Sequence, residues 1–152
     1  MDTEIRIRDV SEKNSRGILK FYRTLCLAAA VLFMIAGFLF LLIPGGVLAF
    51  FNRISQAWGL KTEAIEVPTL YLALTVAYTY TVTLLALKMY NNPVKWIYPF
   101  LLAQAKGASS LLSLALFVLR QPSFVLLANF AVDGFIAVAA YVFYRRIKRQ
   151  YP

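Results

Sequence analysis

Two residues of this chain stand out for chemistry because of where they fall: Lys106 and Asp133 each interrupt a long apolar run near its middle. An ionised lysine or aspartate at the centre of a membrane helix costs about 2.5–3.5 kcal/mol on insertion scales, so each should face protein or water, and preferably an opposite charge. One acid and one base on successive apolar runs can form a neutral pair that fixes helix register. They can equally form a site linked to a proton, an ion or a small polar solute. Polar residues share the same helical faces. Lys106, Ser110 and Ser113 recur at spacings of four and three, Asn129 lies one turn before Asp133, and Tyr71, Thr75, Tyr78 and Thr79 make a hydroxyl stripe on another run. Gln104 is a further candidate, and Gly107, Ala108 and Ser109 supply small surface for close helix contact. The candidate binding set is therefore Lys106, Asp133, Asn129, Ser110, Ser113, Tyr78 and Thr75.

Other chemistry is thin. Histidine is absent and Cys26 is the sole cysteine, which removes the commonest metal ligand and general base and any CxxC pair or intrachain disulfide. Lys, Asp, Tyr and Ser remain as catalytic groups, and they form no recognisable triad or metal set, so no enzymatic activity, cofactor or metal is expected. Cys26 has apolar sequence neighbours and no partner base, which makes packing its expected role. Glu63 and Glu66, three residues apart, have the spacing to hold a cation, but a solvated loop is the plainer reading.

The elements that must position these residues follow from composition. Apolar residues make up 61% of the 152, against roughly 45–50% in soluble globules, and they cluster into four stretches. Each is about 19 to 24 residues long, enough to cover roughly 30 Å of hydrocarbon at 1.5 Å per residue. The expected fold is an all-α bundle of four transmembrane helices, with spans over about 25–43, 69–87, 96–119 and 124–144. A polar arm, 1–24, precedes them, with Arg6, Arg8, Lys13, Arg16, Lys20 and Arg23 set against Asp2, Glu4, Asp9 and Glu12; its balanced charge suggests a surface-lying or loosely ordered segment. Ile18, Leu19, Phe21 and Tyr22 form an interfacial lead into the first span. That span is too long for the roughly 7–15-residue core of a cleaved signal, and it is read as retained.

Pro44-Gly45-Gly46 should end or bend the first helix. Val47, Phe50, Phe51, Ile54 and Trp58 then recur every three or four residues among polar ones, which predicts a short amphipathic helix in the interface, terminated at Gly59. Pro68 suits the first turn of the second span. Only Arg120-Gln121-Pro122-Ser123 separates spans three and four, so these must be antiparallel neighbours. Trp58, Trp96, Tyr98 and Tyr144 fall where interfacial aromatic belts belong.

A net charge of +9 is compatible with nucleic-acid binding, but the basic residues sit at the ends of apolar runs and read as topology signals. Twelve of the sixteen lysines and arginines lie in the arm, the second loop and the 145–152 tail; three lie in the other two loops, and Lys106 lies within a span. Both termini are therefore expected in the cytoplasm. The expected partners are the lipid bilayer, anionic lipids at the basic arm and tail, and a membrane-protein partner or second copy.

Depth qualifies the expected pairing. Lys106 and Asp133 lie roughly 21 and 15 Å from the outer turn, and a helical lysine leans toward its own N-terminus, away from Asp133. A water or polar intermediary is thus expected between them.

Three short motifs, Gly37 to Pro44, Lys106-Gly107-Ala108-Ser109-Ser110 and Val132-Asp133-Gly134, give the chain after residue 25 a resemblance to the small four-span bacterial membrane proteins grouped as DoxX-like, with their uncharacterised relatives. The resemblance implies the bacterial cytoplasmic membrane and, for some members, membrane redox complexes with quinones. Small multidrug transporters also have four spans, but their essential first-span glutamate has no counterpart here. Two functional readings follow. One is a structural or accessory subunit of a membrane complex, with the Lys106 and Asp133 pair architectural; the other is a small transporter or channel using the pair as its site.

Overall fold

The computed structural model describes residues 2–64, 69–120 and 122–150; of residues 2–16 and 18 it describes the backbone alone. Five helices account for most of it: α1 (Asp2–Leu42), α2 (Pro44–Ala57), α3 (Thr69–Asn91), α4 (Ile97–Leu119) and α5 (Phe124–Gln150). Four segments are long and apolar enough to cross a membrane, namely Leu19–Leu42, Thr69–Asn91, Ile97–Leu119 and Phe124–Gln150. This is a multi-pass α-helical membrane protein. Its outer surface agrees, because Leu32 (65%), Leu119 (80%) and Phe135 (77%) are exposed around the bundle, where hydrocarbon is their natural solvent.

The arm is helical from Asp2 and runs into the first span without a break, so the backbone forms a single 41-residue helix. The interfacial lead falls partly on Ile18, whose side chain lies outside the described ones. α1 ends at Leu42 because Ile43 precedes a proline; its φ of −138° and ψ of 54° are not helical. Pro44, needing no amide partner in a first turn, starts α2 at once, and both glycines lie inside that helix. Gly59, at φ 67°, closes α2 as expected. Its amide donates to Gln56 O (3.1 Å) and that of Leu60 to Ser55 O (2.8 Å), the paired bonds of a helix terminus that turns left-handed.

Residues 65–68, and with them the expected roles of Pro68 and Glu66, lie outside the described residues. Helices α3 and α5 run past the expected span ends, to Asn91 and Gln150, because the helix outlasts the apolar run. Lys88, Lys148 and Arg149 in the last turns complement the carbonyl ends.

Packing proceeds in pairs. α1 lies along α3 and α4 along α5, α3 meets α4 less extensively, and α2 rests on α5 and touches α1. Glycine permits close approach in both main pairs: a Cβ added at Gly37 would meet Thr79 Cγ2 at 3.3 Å, and one at Gly134 would meet Ser110 Oγ at 3.0 Å. The buried apolar cluster, including Tyr22, Val82, Met89, Leu102 and Ile147, gathers at the bundle end where α5 finishes. There Lys148 lies over the rings of Trp96 (5.2 Å) and Tyr144 (5.6 Å).

Candidate functional site

Lys106 on α4 and Asp133 on α5 meet directly, Nζ to Oδ1 at 2.7 Å, and both residues are buried at 6% and 3% exposure. The expected intermediary is absent from this contact: the lysine stem is long enough to close an axial offset of roughly 6 Å. The ammonium also lies 4.8 Å from the centre of the Phe33 ring on α1 and 5.2 Å from that of Tyr78 on α3. All four spans thus contribute to one charge. Its attraction to a carboxylate and two ring faces offsets the loss of water.

The seam around the pair is stitched by small polar groups. Ser110 donates its hydroxyl to Phe130 O (2.9 Å), and the Asn129 amide donates to Ser113 Oγ (2.6 Å) and Ser109 Oγ (3.2 Å). Lys106, Ser110 and Ser113 are all buried on the α4 face that meets α5. Tyr78 crosses from α3 to donate its hydroxyl to Ala105 O at 3.1 Å. Thr75 turns back on its own helix and donates to Tyr71 O (2.8 Å). The structure therefore brings Lys106, Asp133, Asn129, Ser110, Ser113 and Tyr78 into one connected region, with Thr75 beside it. Gln104 and Tyr71 take no part: Gln104 is exposed and Tyr71 is 62% exposed. Among the described residues, no three Cys, Asp or Glu side chains come together to hold a metal.

A cavity of about 1150 Å³ reaches this region between the α1/α3 and α4/α5 pairs. Lys106, Asp133, Tyr78, Thr75, Ser109 and Asn129 line its floor, while its walls are apolar side chains, chiefly of α1 and α5. Tyr22 and Phe143, with ring centroids 4.8 Å apart, join α1 to α5 at one end, and Phe51 of α2 lines the other. Leu32, Val132 and Phe135 flank it and are exposed, so the crevice opens sideways, toward hydrocarbon. Two buried side-chain atoms among the described residues have no hydrogen-bond partner, Asp133 Oδ2 and Tyr22 Oη, and both residues line this crevice. Leaving such a group unpaired costs on the order of 1–3 kcal/mol.

No family model, curated protein or solved structure matches this chain. The site must therefore be read from its own geometry.

A second polar cluster, at the opposite bundle end, escapes sequence reasoning. Asn52 of α2 donates to Glu63 O (2.8 Å) and accepts from the Glu63 amide (2.9 Å). Ser123 donates to Glu63 Oε1 at 2.7 Å, the Phe124 amide that opens α5 donates to Ser55 Oγ (2.9 Å), and the Lys61 amide donates to Pro122 O (3.0 Å). Glu63, read from sequence as part of a solvated loop, ties α2 to the α4–α5 turn. Ser55 supplies from another helix the acceptor that a first-turn amide lacks. The two faces of α2 are accordingly mixed: Asn52 and Ser55 are buried against protein beside Leu48, Arg53 and Gln56 are exposed, and Phe50 (60%) and Trp58 (63%) are exposed apolar residues, the Trp58 ring meeting that of Phe124 edge-on at 5.1 Å. The polar alternation was visible; which face met the protein was not, because in lipid the apolar face has no need of burial.

Proposed function

We propose that this protein is a structural or accessory subunit of a membrane complex, without enzymatic chemistry of its own. The observation that carries this reading is the direct contact of Lys106 with Asp133, with the Phe33 and Tyr78 rings beside the ammonium. A charge satisfied by all four spans holds the bundle in one arrangement, and holding one arrangement is what a scaffold does. The DoxX-like resemblance supports the same role and a seat in the bacterial cytoplasmic membrane. Both termini face the cytoplasm in this reading, since twelve of the sixteen lysines and arginines belong to that side. Exposed Arg146 and Arg149 near the chain end suit anionic headgroups.

Purification of the tagged chain from native membranes in mild detergent tests the proposal. A membrane protein recovered in fixed stoichiometry is expected; a chain recovered alone that moves solute in vesicles would replace the scaffold reading with a transporter.

That transporter reading has one observation in its favour: Asp133 Oδ2 is unpartnered at the floor of a crevice. Under it, Asp133→Asn inserts and folds yet abolishes transport.

A further inference from the structure

We infer that the crevice between the α1/α3 and α4/α5 pairs is a binding site for one uncharged lipid whose headgroup carries a hydroxyl or amide hydrogen-bond donor. This goes beyond the scaffold role and does not depend on it.

The chemistry of the floor selects the headgroup. Tyr78 and Thr75 have given their hydroxyl hydrogens to Ala105 O and Tyr71 O, and Asn129 has given both amide hydrogens to serines. What these three side chains still offer is oxygen, Tyr78 Oη, Thr75 Oγ1 and Asn129 Oδ1 as acceptors, while the Lys106 ammonium, which spends one of its three N–H groups on Asp133 Oδ1, and the Ser109 hydroxyl add donors to the same floor. A hydroxyl or an amide, which donates and accepts at once, matches such a floor, and a head that only accepts leaves the floor's oxygens unmet. Charge sets a second condition. Lys106 is already neutralised by Asp133 at 2.7 Å, so the floor gives an ionic headgroup no counter-charge to offset its loss of water at mid-depth. An uncharged head is therefore favoured over a phosphate or a carboxylate.

Size and setting suit a lipid. The crevice holds about 1150 Å³, slightly above the roughly 300–1,000 Å³ of ordinary small-molecule pockets. The walls are aliphatic and aromatic, and the mouth faces hydrocarbon beside Leu32 and Phe135, so a tail enters without leaving its solvent.

The test uses two probes in phosphatidylcholine vesicles holding the purified chain: a diacylglycerol with a diazirine in one tail, and the same molecule with its free hydroxyl methylated. After irradiation, labelled peptides are mapped by mass spectrometry. The hydroxyl probe is expected to label crevice residues of α1 and α5 at least tenfold more than its ether. Ala36→Trp or Ala139→Phe, each filling the crevice from one wall, should reduce that labelling to the level of the ether while the helical signal and melting profile persist. Using two blocking variants on different helices keeps the test open if one fails to fold. Equal labelling by both probes, labelling confined to outer positions such as Val138, or labelling unchanged by a folded blocking variant would overturn the proposal.

Discussion

Gly134 on α5 lies so close to Ser110 on α4 that a Cβ at position 134 would come within 3.0 Å of the serine oxygen. That oxygen is not free to swing away, because its hydroxyl is donated to Phe130 O at 2.9 Å. Gly134→Ala should therefore destabilise the α4–α5 seam by about 1–3 kcal/mol, the usual cost of overpacking. Adding Ser110→Ala to it should recover part of the loss. A double-mutant cycle on unfolding in detergent checks this, and purely additive effects would contradict it.

Removing one member of the central pair should do more harm than removing both. Lys106→Met leaves an aspartate buried without its cation, for which about 3–5 kcal/mol is expected. Lys106→Met combined with Asp133→Leu should restore most of that stability, since the seam keeps its serine and asparagine bonds. Equal damage from the single and double variants would show that the pair does not set the stability of this seam.

Ser123→Ala removes a buried hydroxyl from Glu63, and Asn52→Ala removes both bonds to the Glu63 backbone. Each should cost on the order of 1–3 kcal/mol and speed amide hydrogen exchange over residues 58–64. Exchange in the α4–α5 seam around Lys106 should stay as it was. Uniform acceleration would mean that the two polar clusters are not independent.

Tyr22→Phe should be neutral or stabilising by about 1 kcal/mol. The hydroxyl it removes is buried with only the Cys26 thiol, a weak acceptor, beside it, while the ring that packs on Phe143 remains. Thermal unfolding in detergent measures this, and a loss of more than about 1 kcal/mol would show that the contact with Cys26 acts as a full hydrogen bond.

The amino-acid sequence by itself determined the four spans and that Lys106 and Asp133 would be matched to each other. Both follow from one property of hydrocarbon: it admits long apolar helices and makes isolated charges costly, so run length and charge placement suffice. The glycine that closes α2 was legible for a similarly local reason, its backbone freedom. Tertiary structure alone decided how closely the pair meets, that Phe33 and Tyr78 face the ammonium, that α2 turns Asn52 and Ser55 inward, and that α1 and α5 part to leave a crevice. Periodicity shows which side chains share a helix face. It does not show which neighbour that face will meet, and in lipid, where apolar surface is at home on either side, only the three-dimensional partners of the polar groups settle it.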